Sequence, residues 1–342
     1  MPIRALDVTL PESLCAFLDQ RAAARGRRHW EWKYARRADG LPVGFFWEEA
    51  DGAVLGFIGL MRSALHSAAA AHPAAWFVDW HVTPGQRGVG VGVGLLRKAE
   101  AAAGCLLTLQ GSADTRQILP RLGWKQSLAP TTWVRPLSAR YWSDWVARHV
   151  PAGLRGAARL GAAAASAVSR PRPPATPRGA ALVAVDRFAA DYDAVWAARA
   201  AEFAPLLARD SAYLNWLCAD FPDGGYRSYL LQSDGTAVGH LIVRLDADRH
   251  GARRGRIVDL LWPRTRPELA AWMVAAALQE LQRDRADYVE CVLSVPELAA
   301  AARRSHFRPR TPVPLWYRRL PAGMAGVDDW YVTLLDCDRA YR

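Results

Sequence analysis

The chain has 342 residues, 51% of them hydrophobic, and its 44 basic and 33 acidic side chains give a formal charge of +11. Length and composition predict one large domain or two, and they exclude a globally disordered, collagen-like or coiled-coil protein. The charge is uneven, at +6 in residues 1–140, +5 in residues 141–180 and zero in residues 181–342. A uniformly basic surface for nucleic acid would not show this distribution, so we predict no nucleic-acid partner.

The cysteines form neither a C-x-x-C pair nor a Cys/His cluster with zinc spacing, although the chain has five of them, Cys15, Cys105, Cys218, Cys291 and Cys337. This scatter predicts a reducing cytoplasm and no metal site. The first residues lack the basic and then apolar profile of a signal peptide. The longest alanine-rich stretch, residues 160–168, is too short to cross a bilayer. We therefore expect a cytoplasmic protein without a transmembrane segment.

After early helices, the first part of the chain alternates strands with helices. The pattern predicts strands over residues 45–49, 54–60, 75–82, 106–110 and 131–135, with helices over 93–103 and 115–122. A meander followed by strand–helix alternation is typical of a mixed sheet.

Four landmarks recur in the same order in the two halves of the chain. The first set is Trp32, the turn and strand at residues 51–56, Asp79 and Trp124; the second is Trp216, residues 234–239, Asp259 and Phe307. Successive spacings are 24, 23 and 45 residues in the first set and 23, 20 and 48 in the second. The repeat predicts an α+β fold with two tandem domains, residues 1–140 and 181–342, each a mixed, mostly antiparallel sheet flanked by helices.

Residues 141–180 are predicted to join the two copies. Residues 141–167 have a helical composition with arginines, and the run from Ser169 to Pro174 contains prolines that cannot continue a helix. A basic helix leaves peripheral contact with a membrane or a polyanion open. Three glycines in this segment weaken a helix, which favours a connecting helix packed on one domain.

A glycine-rich turn over residues 82–96 is the most specific motif. A β-branched strand runs into Pro84 and Gly85, then Arg87-Gly88-Val89-Gly90-Val91-Gly92, and then a helix. Such a turn is typical of an anion cradle, because the first backbone N–H groups of a helix lack partners and glycines let a phosphate come close. The Walker motif is absent, and the dinucleotide fingerprint would place its third glycine at Val93 or Leu95. The pattern R-x-x-G-x-G is met.

This loop, the strands beside it and Leu122-Gly123-Trp124 resemble the GCN5-related N-acetyltransferase (GNAT) family. The resemblance implies a sheet whose fourth and fifth strands splay apart, with pantetheine in the gap and acetyl-CoA or another acyl-CoA as cofactor. It also implies the residues that bind this cofactor. Those are the backbone of His81 and Val82, the loop from Arg87 through Gly88, Val89, Gly90 and Val91 to Gly92, and Ser112 in place of a common asparagine.

Two positions depart from the family pattern. Leu119 stands where the family often has a tyrosine that protonates the leaving thiolate, and Trp76 or Val78 stands where it has a base. An attacking amine must lose a proton, so some base is needed. The nearest titratable groups on the strand are Asp79 and His81, which we predict to be catalytic. A structural role for Asp79 stays open, because Asp259 matches it in a copy that lacks the loop.

The second copy has no glycine between Pro263 and the following helix, so we expect it to lack the phosphate cradle. The tail over residues 330–338 alternates apolar and polar residues and ends in acids. It is similar to the closing strand of tandem acetyltransferase-like proteins found with bacterial polysaccharide genes, and the alternative is a final strand with a solvated acidic end. Four tryptophans, Trp30, Trp32, Trp76 and Trp80, belong either to the core or to a sugar-stacking platform.

The sequence thus predicts acyl transfer from acetyl-CoA directly to an amine, with a small-molecule amino sugar or polysaccharide precursor as the acceptor. The alternative from another class is a non-catalytic CoA-binding or scaffold protein of an envelope-polysaccharide complex, which the leucine at position 119 favours. A transferase that uses aminoacyl-tRNA also has paired GNAT-like units. The R-x-x-G-x-G loop disfavours that third possibility, since such an enzyme needs no cradle for a CoA pyrophosphate.

Overall fold

The computed structural model describes residues 3–7, 9–21, 25–35, 41–67, 70–154, 156–158, 161, 174–324 and 329–341. Most of the predicted proline-rich linker, from residue 162 to residue 173, lies outside this part of the chain, as do Arg155 and Arg159. The predicted helix at the start of the 141–180 segment is present as a helix over Ala139–His149, which Ser138 caps by accepting a hydrogen bond from the Tyr141 N–H.

The first half contains the strands and helices that its pattern predicts. Its strands are β1 (Ile3–Leu6), β2 (Gly44–Glu48), β3 (Val54–His66), β4 (Ala71–Val82), β5 (Cys105–Leu109), β6 (Lys125–Ser127) and β7 (Thr131–Pro136). Its helices are α1 (Glu12–Arg21), α2 (Arg27–Ala35), α3 (Val91–Ala102), α4 (Ala113–Arg121) and α5 (Ala139–His149).

The second half repeats this order. Its strands are β8 (Ala180–Val185), β9 (Leu206–Leu207), β10 (Tyr226–Ser233), β11 (Thr236–Ala247), β12 (Arg253–Leu261), β13 (Tyr288–Leu293), β14 (Arg308–Pro312) and β15 (Leu315–Arg318). Its helices are α6 (Tyr192–Phe203), α7 (Ser211–Leu214), which continues into one π-helical turn, α8 (Pro267–Arg283) and α9 (Pro296–Arg304).

The strands form two mixed sheets, and each half of the chain contributes to the sheet of the other half, since β9 and β15 lie in the first sheet and β7 lies in the second. The first has the order β1-β2-β3-β4-β5-β15-β6, with the short β9 beside β3, and the second has the order β14-β7-β13-β12-β11-β10-β8. β15, from the second half, lies between β5 and β6, pairing Leu315 with both Leu109 and Ser127. β7, from the first half, lies between β13 and β14 in the same relative place.

The predicted division at residues 140 and 181 therefore follows the chain but not the sheets. The sequence repeat shows where a copy begins and ends along the chain, but it carries no information on which sheet the last strand of each copy joins. That choice depends on partners about 160–210 residues away, such as Val134 opposite Glu290 and Trp316 opposite Thr108. The two halves follow each other along the chain, but each sheet contains strands from both halves.

The first sheet is covered on both faces. On one face, α3 places Val91, Leu95 and Leu96 against Phe77 and Trp124 in a compact apolar cluster. On the other face, Leu14, Phe17 and Leu18 of α1 belong to a larger core that includes Trp76, Val78 and much of the second half. Because side chains alternate along a strand, β4 separates an α3 side from an α1–α2 side.

The tail over residues 329–341 is not the closing strand that its alternation predicted. It forms successive turns, and Cys337 has a left-handed φ of +63°, which interrupts any extended run. Its acids are not solvated either, since Asp336 is 2% exposed and Asp338 is 5% exposed. Apolar and acidic side chains of residues 330–338 are buried alike, so the pattern does not reflect one buried and one solvated face.

Candidate functional site

A gap between β4 and β5 defines the site. The two strands pair in parallel only from Ala74 to Trp76 on β4, opposite Cys105 to Leu107 on β5, and then diverge. β15 takes the partner positions on the far side of β5, so nothing draws β5 back toward β4. A cavity of about 900 Å³ lies where the strands diverge. Its size is in the range of small-molecule and cofactor sites.

The glycine-rich loop forms one end of this cleft. After a short 3₁₀ turn over Pro84–Gln86, Gly88 and Gly90 have left-handed φ angles of +88° and +92°, and α3 begins at Val91. The helix starts two residues earlier than the pattern predicted, because Gly90 is its N-cap. No side chain caps this first turn, so the backbone N–H groups of Val91 and Gly92 have no partner within the helix.

Both left-handed glycines face open space. A Cβ added at Gly88 or Gly90 would meet no atom within 4 Å. Other residues adopt this φ only with strain, so glycine is required here because it can adopt a left-handed backbone conformation. The result is an uncapped helix N-terminus with a bare approach, which is the arrangement that binds phosphate groups.

The structure brings most of the predicted site residues together. Those that line the cleft are Asp79, His81, Val82, Arg87, Gly88, Gly90, Gly92 and Ser112. Val89 and Val91 do not line it with their side chains, since Val89 is 67% exposed at the loop tip and Val91 is buried under α3. Any role of these two valines in ligand binding belongs to their backbone groups.

Two predicted polar residues lie beside the loop with other partners. Ser112 is the N-cap of α4, where its Oγ accepts from the Thr115 N–H at 3.2 Å and lies 3.0 Å from the Thr115 Oγ1. The Arg87 guanidinium lies 3.6 Å from the Asp114 carboxylate, and both side chains are about two-thirds exposed. Such an exposed ion pair is weak, so Arg87 is available to another anion.

Asp79 lies on a bulge that turns its carboxylate toward α2. The pairing of β3 with β4 slips between Phe57 and Gly59, and Asp79 has a left-handed φ of +48°. Its Oδ2 accepts from the Tyr34 hydroxyl at 2.6 Å and from the Lys33 ammonium. Gly59 permits this contact, since a Cβ there would lie 2.2 Å from the Tyr34 oxygen. Asp79 is thus a buried carboxylate held by a cation and a hydroxyl.

Other elements bring to this cleft residues that no local sequence pattern indicated. Lys33 and Tyr34 follow the landmark Trp32 in the chain, and Asp338 belongs to the supposed closing strand. The Lys33 Nζ lies 3.5 Å from the Asp338 Oδ2, and Asp338 lines the cleft. No local signal connects Lys33 with a carboxylate about 300 residues away, because the connection arises from the burial of the tail between the sheets.

The two side chains that depart from the family pattern, Leu119 and Trp76, are buried and cannot take part in proton transfer. Leu119 is fully buried in the α3-side cluster, so no proton donor stands there. Trp76 is also fully buried. Among the four tryptophans considered for a sugar platform, Trp30, Trp32 and Trp76 are at most 8% exposed and belong to the core, which contradicts that interpretation for them. Trp80 alone of these four lines the cleft, and its Nε1 donates to the Gly92 carbonyl at 3.1 Å.

In the second sheet the corresponding gap is filled by the chain itself. β12 and β13 pair only from Arg254 to Arg256 and then diverge, as β4 and β5 do. The tail enters the gap, where the Leu335 N–H donates to the Val258 carbonyl at 3.0 Å and the Val332 N–H donates to the Ser294 Oγ at 2.8 Å. The tail therefore occupies this gap.

The start of α8 also differs from the start of α3. Arg264 and Arg266 occupy the turn where the first copy has its glycines, and they bond to Glu297, Glu268 and Ser233. Polar side chains of the protein thus fill the place of a bound anion. The absence of a phosphate cradle from the second copy stays a prediction.

Asp259 has a structural environment. Its carboxylate is fully buried and accepts from Arg209 at 2.8 Å and from Thr333 at 2.7 Å, and the His240 Nε2 lies at 2.9 Å. Burial by itself would raise the pKa of Asp259. The Arg209 guanidinium and the His240 ring lower it by more than burial raises it, so the pKa lies below its ordinary value. The matching carboxylate Asp79 differs from it in lining the cleft.

Solved structures show which fold this is. The chain is similar to a GCN5-related N-acetyltransferase from Anabaena variabilis, with 14% identity, a TM-score of 0.60, and coverage of 92% of this chain and 72% of that one. A probable N-acyltransferase from Enterococcus faecalis gives 11% identity, a TM-score of 0.58 and coverage of 92% and 72%. N-myristoyltransferase from Saccharomyces cerevisiae with bound myristoyl-CoA gives 9% identity, a TM-score of 0.62 and coverage of 94% and 83%.

These likenesses establish a tandem GNAT fold, as the sequence predicted. No family model matches the sequence, and no curated protein matches it. Within the described part of the chain, no helix is long and apolar enough to cross a bilayer. The described residues also contain no group of three or more His, Cys, Asp or Glu side chains placed to hold a metal ion.

Proposed function

We propose that the protein is an acyl-CoA-dependent N-acyltransferase with acetyl-CoA or another acyl-CoA as donor and a small-molecule amine as acceptor. The observation that carries this proposal is the uncapped N-terminus of α3, which faces the β4–β5 gap across Gly88 and Gly90. The solved relatives in this fold include an N-acetyltransferase and an enzyme with bound myristoyl-CoA, and they support the same reaction class here.

The residues present fit such a donor. Gly88, Gly90, Val91 and Gly92 offer backbone N–H groups to the pyrophosphate, and nothing but space stands in front of the two left-handed glycines. Arg87 adds a charge-assisted contact. The backbone of His81 and Val82, at the open end of β4, faces the gap where pantetheine would lie. Acyl-CoA supplies the activated acyl group when it is bound.

The reaction is a direct attack of the amine on the thioester carbonyl, without a covalent enzyme intermediate. Backbone N–H groups at the diverging strand ends stabilise charge on the carbonyl oxygen, and the cleft holds the two reactants together. His81 accepts the proton that the attacking amine loses, because imidazole exchanges protons near neutral pH. Asp79 is paired with Lys33 and Tyr34, so it orients the acceptor rather than serving as the base.

A narrower proposal concerns the acceptor and the second half of the chain. We infer an amino sugar or a polysaccharide precursor, which rests on Trp80 beside the cleft, whose ring is able to stack on a sugar. Residues 181–342 form a degenerate copy without a pyrophosphate loop. Its tail contributes Asp338 to the cleft of the first copy.

The alternative is a CoA-binding or scaffold protein that does not turn over. The burial of Leu119 favours it, because no hydroxyl stands at that position to protonate a leaving thiolate. The two functions predict different behaviour toward amines, while both predict binding of the donor.

Thiol release from acetyl-CoA across a panel of amines and amino sugars distinguishes them. The enzyme proposal predicts release with at least one amine, and a loss of about 10²–10⁴-fold in kcat for His81→Gln. His72→Gln is the matched control, since His72 is on the same strand but does not line the cleft. Tight donor binding without thiol release for any amine would establish the alternative.

A further inference from the structure

Arg21 is an arginine in the cleft wall that the proposed reaction does not yet use. It is the last residue of α1, and its guanidinium lies over the Phe17 ring at 5.7 Å. Its Nε is buried and has no hydrogen-bond partner. Within the described ranges, no carboxylate forms an ion pair with it. A half-buried guanidinium that faces a cavity without an anion is poised to bind one, because pairing it recovers the lost hydrogen bonds.

The position of Arg21 separates it from the cofactor's phosphate groups. Helix α1 packs on the face of the first sheet opposite α3, since Phe17 and Leu18 belong to the core with Trp76 and Val78. The glycine loop and α3 lie on the other face. The cleft passes between the diverging strands and joins the two sides. An anion at Arg21 therefore belongs to the molecule that enters from the α1–α2 side.

Asp338 lies on the same side of the sheet. The buried tail places its carboxylate in the cleft wall with Arg21 and Asp79, and Lys33 of α2 holds it at 3.5 Å. A carboxylate has about four lone-pair sites, so it accepts from a substrate ammonium in addition to its protein partners. The α1–α2 side of the cleft thus presents a carboxylate and a guanidinium together.

We propose that the acceptor is an amine that also carries a carboxylate, with Arg21 bound to its carboxylate and Asp338 facing its amine. This inference rests on the proposed function and narrows its acceptor class to amino acids and amino-sugar acids. Arg21 and Asp338 are binding residues in this scheme. Bidentate pairing of a planar guanidinium with a carboxylate gives the selectivity.

The test compares acceptors that differ only in the acid group. Glycine is paired with glycinamide, and an aminouronic acid is paired with the matching amino sugar. Thiol release gives kcat and KM for each, and calorimetry gives the Kd of each on protein saturated with coenzyme A and on protein alone. The wild type is expected to prefer the acid of each pair by about tenfold or more, mainly through KM and Kd.

Two variants should change this preference in different ways. Arg21→Gln should bring the acid-to-amide ratio close to one by weakening the acid alone, and Arg21→Lys should restore part of the preference. Asp338→Asn should weaken acid and amide equally, because both share the amine. Arg28→Gln and Asp329→Asn are matched controls, since both residues are exposed and do not line the cleft. Donor binding should be unchanged in all five.

The inference is overturned if wild-type protein does not distinguish acid from amide, or if Arg21→Gln weakens both members of a pair alike. It is also overturned if Arg21→Gln leaves the acceptors unchanged but weakens the binding of succinyl-CoA relative to acetyl-CoA, since the anion would then belong to the acyl group. Absence of thiol release contradicts the proposed reaction instead. In that case the calorimetric comparison of acid and amide still decides the role of Arg21.

Discussion

Trp32 and Trp216, the first landmarks of the two sequence repeats, are buried and bind each other reciprocally. The Trp32 Nε1 donates to the Trp216 carbonyl at 2.8 Å, and the Trp216 Nε1 donates to the Trp32 carbonyl at 3.0 Å. Their rings stack at 5.3 Å with an angle of 18° between planes. A contact of each residue with its own counterpart is what a pseudo-twofold relation between two copies produces.

This pair should couple the two halves energetically. Trp32→Phe and Trp216→Phe should each lower the free energy of unfolding by about 1–3 kcal/mol, because each leaves a buried carbonyl without its donor. A double-mutant cycle followed by chemical denaturation should give a coupling of about 0.5–3 kcal/mol. Trp272→Phe, which changes a partly buried tryptophan of α8 away from this contact, is the control. Strictly additive losses would contradict the coupling.

The exchanged strands predict that neither half folds alone. A fragment of residues 1–154 lacks β15 between β5 and β6, and a fragment of residues 174–342 lacks β7 between β13 and β14. Each would expose the ladder edges that the other half covers. Separately, the fragments should show no cooperative thermal unfolding by circular dichroism, whereas the mixed fragments should. Cooperative unfolding of either fragment by itself would show that the strand exchange is dispensable.

A buried ion cluster in the second half should be important for stability. Arg209 is fully buried and bonds to both Asp259 at 2.8 Å and Asp336 at 2.6 Å. Replacing it in Arg209→Leu leaves two carboxylates buried without their cation, and the expected loss is about 3–5 kcal/mol. Arg187→Leu breaks an exposed pair with Asp220 and should change the unfolding midpoint little. Equal effects of the two substitutions in urea denaturation would refute the structural role assigned to Asp259.

The lowered pKa of His29 should make the free energy of unfolding depend on pH. Burial, helped by the nearby Lys33 cation, lowers the pKa of His29 from its ordinary 6.5 to about 4. The unfolded chain therefore binds a proton that the folded chain excludes, so stability is complete above pH 6.5 and falls as the pH drops toward 4. The contribution is about 3 kcal/mol, from the difference of about 2.5 in pKa.

The variant His29→Phe keeps a ring among Trp30, Trp32 and Phe221 but cannot take up a proton. Between pH 6.5 and pH 4, the free energy of unfolding should fall by about 3 kcal/mol less in this variant than in the wild type. Equilibrium denaturation at several pH values measures this difference. Parallel pH profiles for the two proteins would assign the acid sensitivity to other groups.

The sequence predicted five of the seven strands described in the first half, the repeat and the loop, because each depends on local chemistry, whereas β1 and β6 were not predicted. Glycines at 88 and 90 are needed for their φ angles, and the mainly apolar run of β4 follows from its two buried faces. The tail could not be predicted, since a short and mainly apolar run does not by itself distinguish a strand from buried turns. No local sequence pattern indicates Lys33, Arg21 or Asp338, because only the tertiary fold brings α1, α2 and the tail to one cleft.

Isothermal titration of the protein with acetyl-CoA tests the central proposal most directly. We expect saturable binding by the wild type and its loss in Gly90→Trp, whose side chain would extend into the space in front of α3. Gly52→Trp is the matched control, because Gly52 has a similar φ of +85° and equally open surroundings in the β2–β3 turn, away from the cleft. Absence of heat with the wild type, or equal binding by all three proteins, would contradict the assignment of the loop as the donor site.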